Sequence, residues 1–179
     1  MAGSCSVRVR CYVHGVRRIL LLTIIISAAQ IVSISPSVAQ EIAVESELIA
    51  EVRRDEIGPS GQSAKIFMPA AVLRQGEEVF YTVQVLNPAG EFARQVTVEQ
   101  RIPQNTLYVP GSAAGPGTQI TFSADGGRTF VAENELTVTS PSGASRPATP
   151  RDYTHIRWKL HHPLAPGAVA LLRFRAVFQ

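Results

Sequence analysis

Beyond residue 40, the residues whose types could do chemistry are three histidines, a loose acidic group, scattered serines and one tryptophan. The histidines beyond residue 40 are His155, His161 and His162. Adjacent His161 and His162 in an extended segment point to opposite faces, so they do not easily share one metal ion. His155 and His161 would share a strand face but lie about 20 Å apart along it. All three read as solvated surface or turn residues. Asp125, Glu133 and Glu135 form the densest acidic group. A calcium ion asks for about six to eight oxygens, and the spacing of a calcium loop is absent from the sequence. Asp125 reads as a turn residue, and Glu133 and Glu135 as solvated neighbours on one strand face. No serine sits in a Gly-x-Ser-x-Gly elbow, nor in the strand-turn-helix that would present one. Asp152 and His155 are too close in one strand to converge as partners of a triad. Gly115-Pro116-Gly117 is followed by neither a lysine nor a helix, so it is no phosphate cradle. These patterns assign no catalytic residue, no metal ligand and no cofactor, and the expectation is a non-enzymatic chain.

The remaining candidates are residues for contact rather than catalysis. Trp158 alternates with Arg157 and Lys159, which places it on a face with Ile156 and Leu160. It reads as a core anchor between sheets, or else as a stacking residue for a ligand with Tyr108, Tyr153 or Phe130 nearby. Phe80 and Leu86 stand on the opposite face from Val79, Val83 and Val85. Either the residues before position 70 cover them or they form an exposed apolar patch, a usual mark of a partner site. Phe80, Leu86, Tyr108 and Trp158 are therefore the candidate ligand or partner contacts.

Strands must position these side chains, because period-2 alternation dominates the sequence beyond residue 40. Val79, Tyr81, Val83 and Val85 point one way, and Asn87-Pro88-Ala89-Gly90 breaks the run. Val96 and Val98 alternate with polar neighbours until Pro103, and Ile120 and Phe122 do the same. Asp125-Gly126-Gly127 is a tight-turn signal. Leu136 and Val138, then Ile156, Trp158 and Leu160, make further strands. The last runs from about Ala168 to Phe178, with Arg173 and Arg175 on its wet face. Ile66-Phe67-Met68 is a short strand stopped by Pro69. Residues 42–54 fit a strand better than a helix, although Val44, Leu48 and Val52 also match helical spacing. Pro110 to Gly117 and Ser140 to Pro150 read as loops. Seven to nine short strands without a convincing helix predict an all-β antiparallel sandwich.

The first 39 residues do not belong to that fold. Arg8, Arg10, Arg17 and Arg18 form a basic head, Ile19 to Ile26 an apolar centre, and Ser37-Val38-Ala39 a small-residue site. These are the parts of a secretory signal peptide cleaved between Ala39 and Gln40. A retained N-terminal anchor is the alternative, though the apolar run falls short of the ~20 residues of a comfortable span. Loss of the leader changes the charge. The chain has 17 basic and 14 acidic residues. Removing the four leader arginines leaves 13 against 14, so the precursor's basic pI of 9.2 no longer applies. Nucleic-acid binding loses its warrant with that excess. Cys5 and Cys11 also lie in the leader, so the processed chain has no thiol for a disulfide or a metal cluster.

Several segments resemble one family. Gly76-Glu77-Glu78, Tyr81-Thr82-Val83-Gln84-Val85, Val96-Thr97-Val98, Ile102-Pro103 and Leu107-Tyr108-Val109-Pro110-Gly111-Ser112 are similar to the DUF11 conserved-repeat domain of bacterial exported and cell-surface proteins. The usual Asn-Thr-Gly turn is replaced by Asn87-Pro88-Ala89-Gly90, and Glu99-Gln100-Arg101 stands where an Asp is usual. The resemblance implies an immunoglobulin-like sandwich over residues 70–179, preceded by a segment 40–69 packed as extra strands. It also implies a place outside the cytoplasm, periplasmic or at the cell surface, as a spacer or adhesive module with no known active site. The expected function is structural or protein-binding at the cell envelope, with a carbohydrate- or surface-adhesion module as the alternative. The partner would be an envelope protein or a surface glycan, with the membrane touched only through the uncleaved leader.

Overall fold

A computed structural model describes residues 7–10, 44–57 and 62–179 of the chain. The expected cleavage site at Ala39 and Gln40, and the rest of residues 1–39 apart from Val7–Arg10, lie outside the described residues. The expectation that these 39 residues stand apart from the fold is corrected at Val7–Arg10, whose backbone pairs antiparallel with Thr97–Gln100. The strands in chain order are β1 (Val7–Arg10), β2 (Glu45–Ile57), β3 (Ser63–Pro69), β4 (Glu78–Leu86), β5 (Thr97–Arg101), β6 (Thr106–Tyr108), β7 (Thr118–Ser123), β8 (Thr137–Thr139), β9 (Ser145–Pro147), β10 (His155–Leu160) and β11 (Val169–Phe178). They form a four-stranded sheet ordered β1-β5-β10-β7, a five-stranded sheet ordered β3-β2-β4-β11-β6, and a small β8-β9 pair. Every pairing is antiparallel. The two large sheets form the β-sandwich that alternation predicts.

Parity explains the layers. In β4 the buried positions are Val79, Tyr81, Val83 and Val85; in β11 they are Ala170, Leu172, Phe174 and Ala176. Opposite them, Val98, Ile156 and Trp158 come from the four-stranded sheet and Val96 from the residue before β5, and all four are fully buried. One core cluster contains residues of both sheets. Trp158 meets Phe174 across the layers at 6.2 Å between ring centroids, and Phe174 stacks on Tyr81 at 4.8 Å. A second aromatic group, Tyr108, Phe122 and Tyr153, closes one end with centroid separations of 4.9–5.5 Å. Offset and tilted ring pairs of this kind add about 0.5–1.5 kcal/mol each beyond their buried area.

Of the expected 42–54 strand, residues 42 and 43 lie outside the described residues and Glu45 onward is β2 rather than a helix; β2 and β3 extend the five-stranded sheet edgewise beside β4. They add strands in the plane of the sheet, so the cover that residues before position 70 give Phe80 comes from the side chains of Phe67 and Arg53 and leaves the ring half-buried. Two local expectations change. Glu133–Glu135 is a single 3-10 turn, so its carboxylates do not share a strand face. The stretch Ser140–Pro150 is not all loop, because Ser145–Pro147 pairs back on Thr137–Thr139. Glycine has a packing role at Gly115, where an added Cβ would lie 2.8 Å from both Leu172 Cδ2 and Thr118 Oγ1. Its absence lets residues 112–117 press against the core edge.

Trp158 is the test of this packing. Trp158→Ala leaves a large void in a fully buried site and should cost about 3–5 kcal/mol in urea unfolding of the purified chain. Trp158→Phe keeps most of the ring volume and deletes an indole N–H that is buried without an acceptor among the described residues. It should cost under about 2 kcal/mol. Equal, small losses for both variants would contradict the core placement.

Candidate functional site

Two of the four contact candidates are inaccessible. Trp158 is 0% exposed and Tyr108 1% exposed, because both fall on the inward parity of their strands. The correction has a plain physical cause: each ring fills space between the sheets, so a surface ligand has no route to either. Burial also pushes the Tyr108 phenol up to about 12. Its oxygen accepts a hydrogen bond from the Ala113 N–H at 3.2 Å, which ties the 110–117 loop to the core.

Phe80 and Leu86 take the outward parity of β4 and are half-buried. Register places Phe80 between Glu51 of β2 and Arg175 of β11, and Leu86 between Glu45 and Val169. Phe67 of β3 reaches across and meets Phe80 edge-to-face, with ring centroids 5.0 Å apart. The Arg53 guanidinium lies over the same ring at 5.7 Å. Beyond Arg175, the Ser112 hydroxyl accepts from the Arg175 N–H at 3.0 Å, and Ala114 exchanges two 2.8 Å backbone bonds with Arg173. The loop therefore stands as a wall along β11. Between that wall and the Phe67–Phe80 pair runs an open groove of about 420 Å3. Ile49, Phe67, Val169 and Leu171 lie on the same face and are 36–53% exposed. This strip of apolar side chains is rimmed by Glu51, Arg53 and Arg173.

The sequence named only Phe80 and Leu86 of this face. The outward parity of Arg173 and Arg175 was readable, but the meeting of Phe67 with Phe80 depends on the pairing of β3 with β2 and of β2 with β4. Only long-range register supplies that.

Four of the titratable candidates, Asp125, Asp152, His155 and Glu133, are engaged by the scaffold. The Asp125 carboxylate accepts from the Thr129 N–H at 3.0 Å, the Thr129 hydroxyl at 2.7 Å, the Ser123 hydroxyl at 2.7 Å and the Arg128 N–H at 3.0 Å. Those bonds hold its carboxyl far below the usual range. Gly126 and Gly127, with φ of 79° and 85°, supply the left-handed turn it caps. The Asp152 carboxylate takes a two-point contact from Arg146 at 2.7 and 2.9 Å, plus the Thr149 N–H and hydroxyl. Its pKa is likewise depressed, Arg146 first among the causes. His155 Nδ1 lies 3.1 Å from the Thr154 hydroxyl, while Asp152 is turned to Arg146. Glu133 accepts from the Gly111 N–H at 2.8 Å. Among the described residues, no three His, Cys, Asp or Glu side chains converge on a common point.

Family models, curated proteins and solved structures yield no match to the chain. The functional reading therefore rests on its own geometry.

His155 gives a pH test of this framework. Burial lowers its pKa from the ordinary value, Arg101 adds to the lowering, and Glu99 and Asp125 oppose it. The folded state thus prefers the neutral ring. Above about pH 6.5 both states are neutral and the contribution is complete. As pH falls below that point the unfolded chain takes the proton first, so stability is lost through the folded pKa. Unfolding free energies at about pH 8 and about pH 5 should fall further for the wild type than for His155→Gln. Identical drops would show that the ring is not desolvated as described.

Proposed function

We propose that the chain is a non-catalytic binding module of the cell envelope that docks a protein partner on the outer face of its five-stranded sheet. One observation carries this reading. Ile49, Phe67, Phe80, Leu171 and Val169 gather on one outward face, with arginines at the rim, and the groove along β11 runs between them. Aromatic side chains and arginine are the types enriched at protein interfaces. Exposed apolar groups of this extent on one face are a usual mark of an interaction site. The secretory pattern of residues 1–39 and the resemblance to exported DUF11 modules support an envelope setting. The carbohydrate-adhesion alternative draws on the same groove, since an exposed ring beside charged side chains also suits a sugar.

Envelope fragments separate the two. The purified chain should bind washed fragments saturably, and protease treatment of the fragments should abolish the binding. Phe67→Glu and Leu171→Glu place a charge at exposed positions; Phe67→Glu also gives up the ring contact with Phe80, about 0.5–1.5 kcal/mol, and both should remain folded while affinity drops at least about tenfold, roughly 1.4 kcal/mol. Binding that survives protease but is lost after periodate oxidation would move the reading to the glycan. No saturable binding, or variants that bind as the wild type does, would end the proposal for this face.

A further inference from the structure

The other sheet has a different outer face. Along β10 the outward side chains are His155, Arg157 and Lys159, and their neighbours follow from the register. Arg157 lies between Glu99 and Thr121, Lys159 between Thr97 and Gln119, and His155 between Arg101 and Ser123. Glu99 is the one acid in these rows. It is already committed, with Oε1 2.8 Å and 3.0 Å from two Arg157 nitrogens. Phe130 lies against the same guanidinium at 3.5 Å from its ring centroid. Arg157 is thereby held as a fixed planar donor.

Below it an open groove of about 710 Å3 is lined by Arg94, Arg157, Lys159, His161 and His162, and among the described residues its lining holds no acidic side chain. Arg94 and Lys159 are exposed and make no ion pair among the described residues. The groove wall is built rather than incidental. Ala93 exchanges two 2.9 Å backbone bonds with Leu164, and Gln95 takes a left-handed φ of 56°. A non-glycine residue held there stores strain that the surrounding bonds must overcome, and the result is to set Arg94 and Gln95 on the rim facing Lys159. The chain beyond its leader is close to neutral, so this concentration of cations is a segregation of charge and not a general basic excess.

We infer that this groove binds a polyanionic polysaccharide, one whose carboxylate, sulfate or phosphate groups meet Arg94 and Lys159. The same lining holds the amides of Gln95 and Gln119 and the hydroxyl of Thr97, donors and acceptors suited to sugar hydroxyls. A nucleic acid fits less well, because single-stranded binding draws on open aromatic faces, and the Phe130 ring at this face is already covered by Arg157. The site lies on the opposite sheet from the protein-docking face and stands independently of it.

The test uses the purified chain with polygalacturonate and dextran sulfate as acidic polymers, and neutral dextran as control. Saturable binding to at least one acidic polymer is expected, weakening steeply as salt rises, with none to dextran. Arg94→Ala combined with Lys159→Ala should weaken it at least tenfold. Gln119→Glu, which puts an acid in the groove, should do the same without loss of melting temperature. Leu171→Glu on the opposite sheet should bind the polymers as wild type, so failure there is distinguishable from failure here. Anionic lipid vesicles and a single-stranded oligonucleotide are the competing ligands. Equal or tighter binding to either, no saturable polymer binding, or an unaffected double variant would each overturn the assignment.

Discussion

The contact of Trp158 with Phe174 across the two layers is the constraint on which the rest depends. Each ring is fully buried and sits at the centre of a strand whose alternate residues are also buried. Because strand side chains alternate with period two, burying one set fixes the other set outward. Burying Trp158 and Ile156 sends Arg157 and Lys159 to the surface. Burying Phe174 and Leu172 sends Arg173 and Leu171 there, and burying Tyr81 does the same for Phe80. Both candidate surfaces are thus consequences of one packed interior. A one-residue slip of β10 or β11 would bury arginines and expose the aromatic core, an exchange costly enough to pin the register.

Asn87, Asp125 and Asp152 spend their polar groups on connecting these strands. Asn87 is fully buried, and its amide donates to Glu91 O at 2.8 Å and Leu164 O at 2.9 Å while its Oδ1 accepts from the Ala89 N–H. That side chain locks the 87–91 turn to the neighbouring 164–168 loop, which Asn87 also meets through two backbone bonds. A buried amide with its partners in place contributes roughly 1 kcal/mol, and deletion of those partners costs more than that. Asp125 and Asp152 do the same work in exposed loops, where solvent screens the charge and the value lies in geometry rather than in net energy. In each of these acids one oxygen accepts three chain donors and the other accepts one, which leaves little capacity for a metal or for proton transfer.

How much of this was legible in the residues differs by element. β4, β10 and β11 could be read directly, because one buried face and one wet face leave an alternating signature in Val79–Leu86, His155–Leu160 and Val169–Phe178. The Asn87 and Asp125 turns were legible because those residue types bond their own backbone. The Glu133–Glu135 turn was not, since Glu-Asn-Glu has no pattern that separates a 3-10 turn from a strand end. β8 was legible at Leu136 and Val138, but its pairing with β9 was not, because the proline and glycine content of residues 140–150 reads as loop. The candidate site was half legible. Alternation places Phe80 and Trp158 on opposite parities but does not say which parity is inward for a given strand until the partner sheet is known. Trp158 and Tyr108 stayed open between core and surface for that reason, and Phe67 was invisible as a neighbour of Phe80.

The two outer faces differ in a way that follows from the same arithmetic. The five-stranded sheet presents apolar side chains among mixed charges, with Glu47, Glu51 and Glu78 against Arg53, Arg173 and Arg175. The four-stranded sheet presents cations, glutamines and threonines with a single committed acid. Packed sheets stand about 10 Å apart, so the faces are separated by the full core and share no side chain. Substitutions on one should therefore add to, and not modify, substitutions on the other. A rigid core that couples neither face to the other suits a part that holds two different things at a fixed spacing. Transmission between the faces would instead require a core with two alternative packings, and a close-packed interior anchored on Trp158 and Phe174 opposes that.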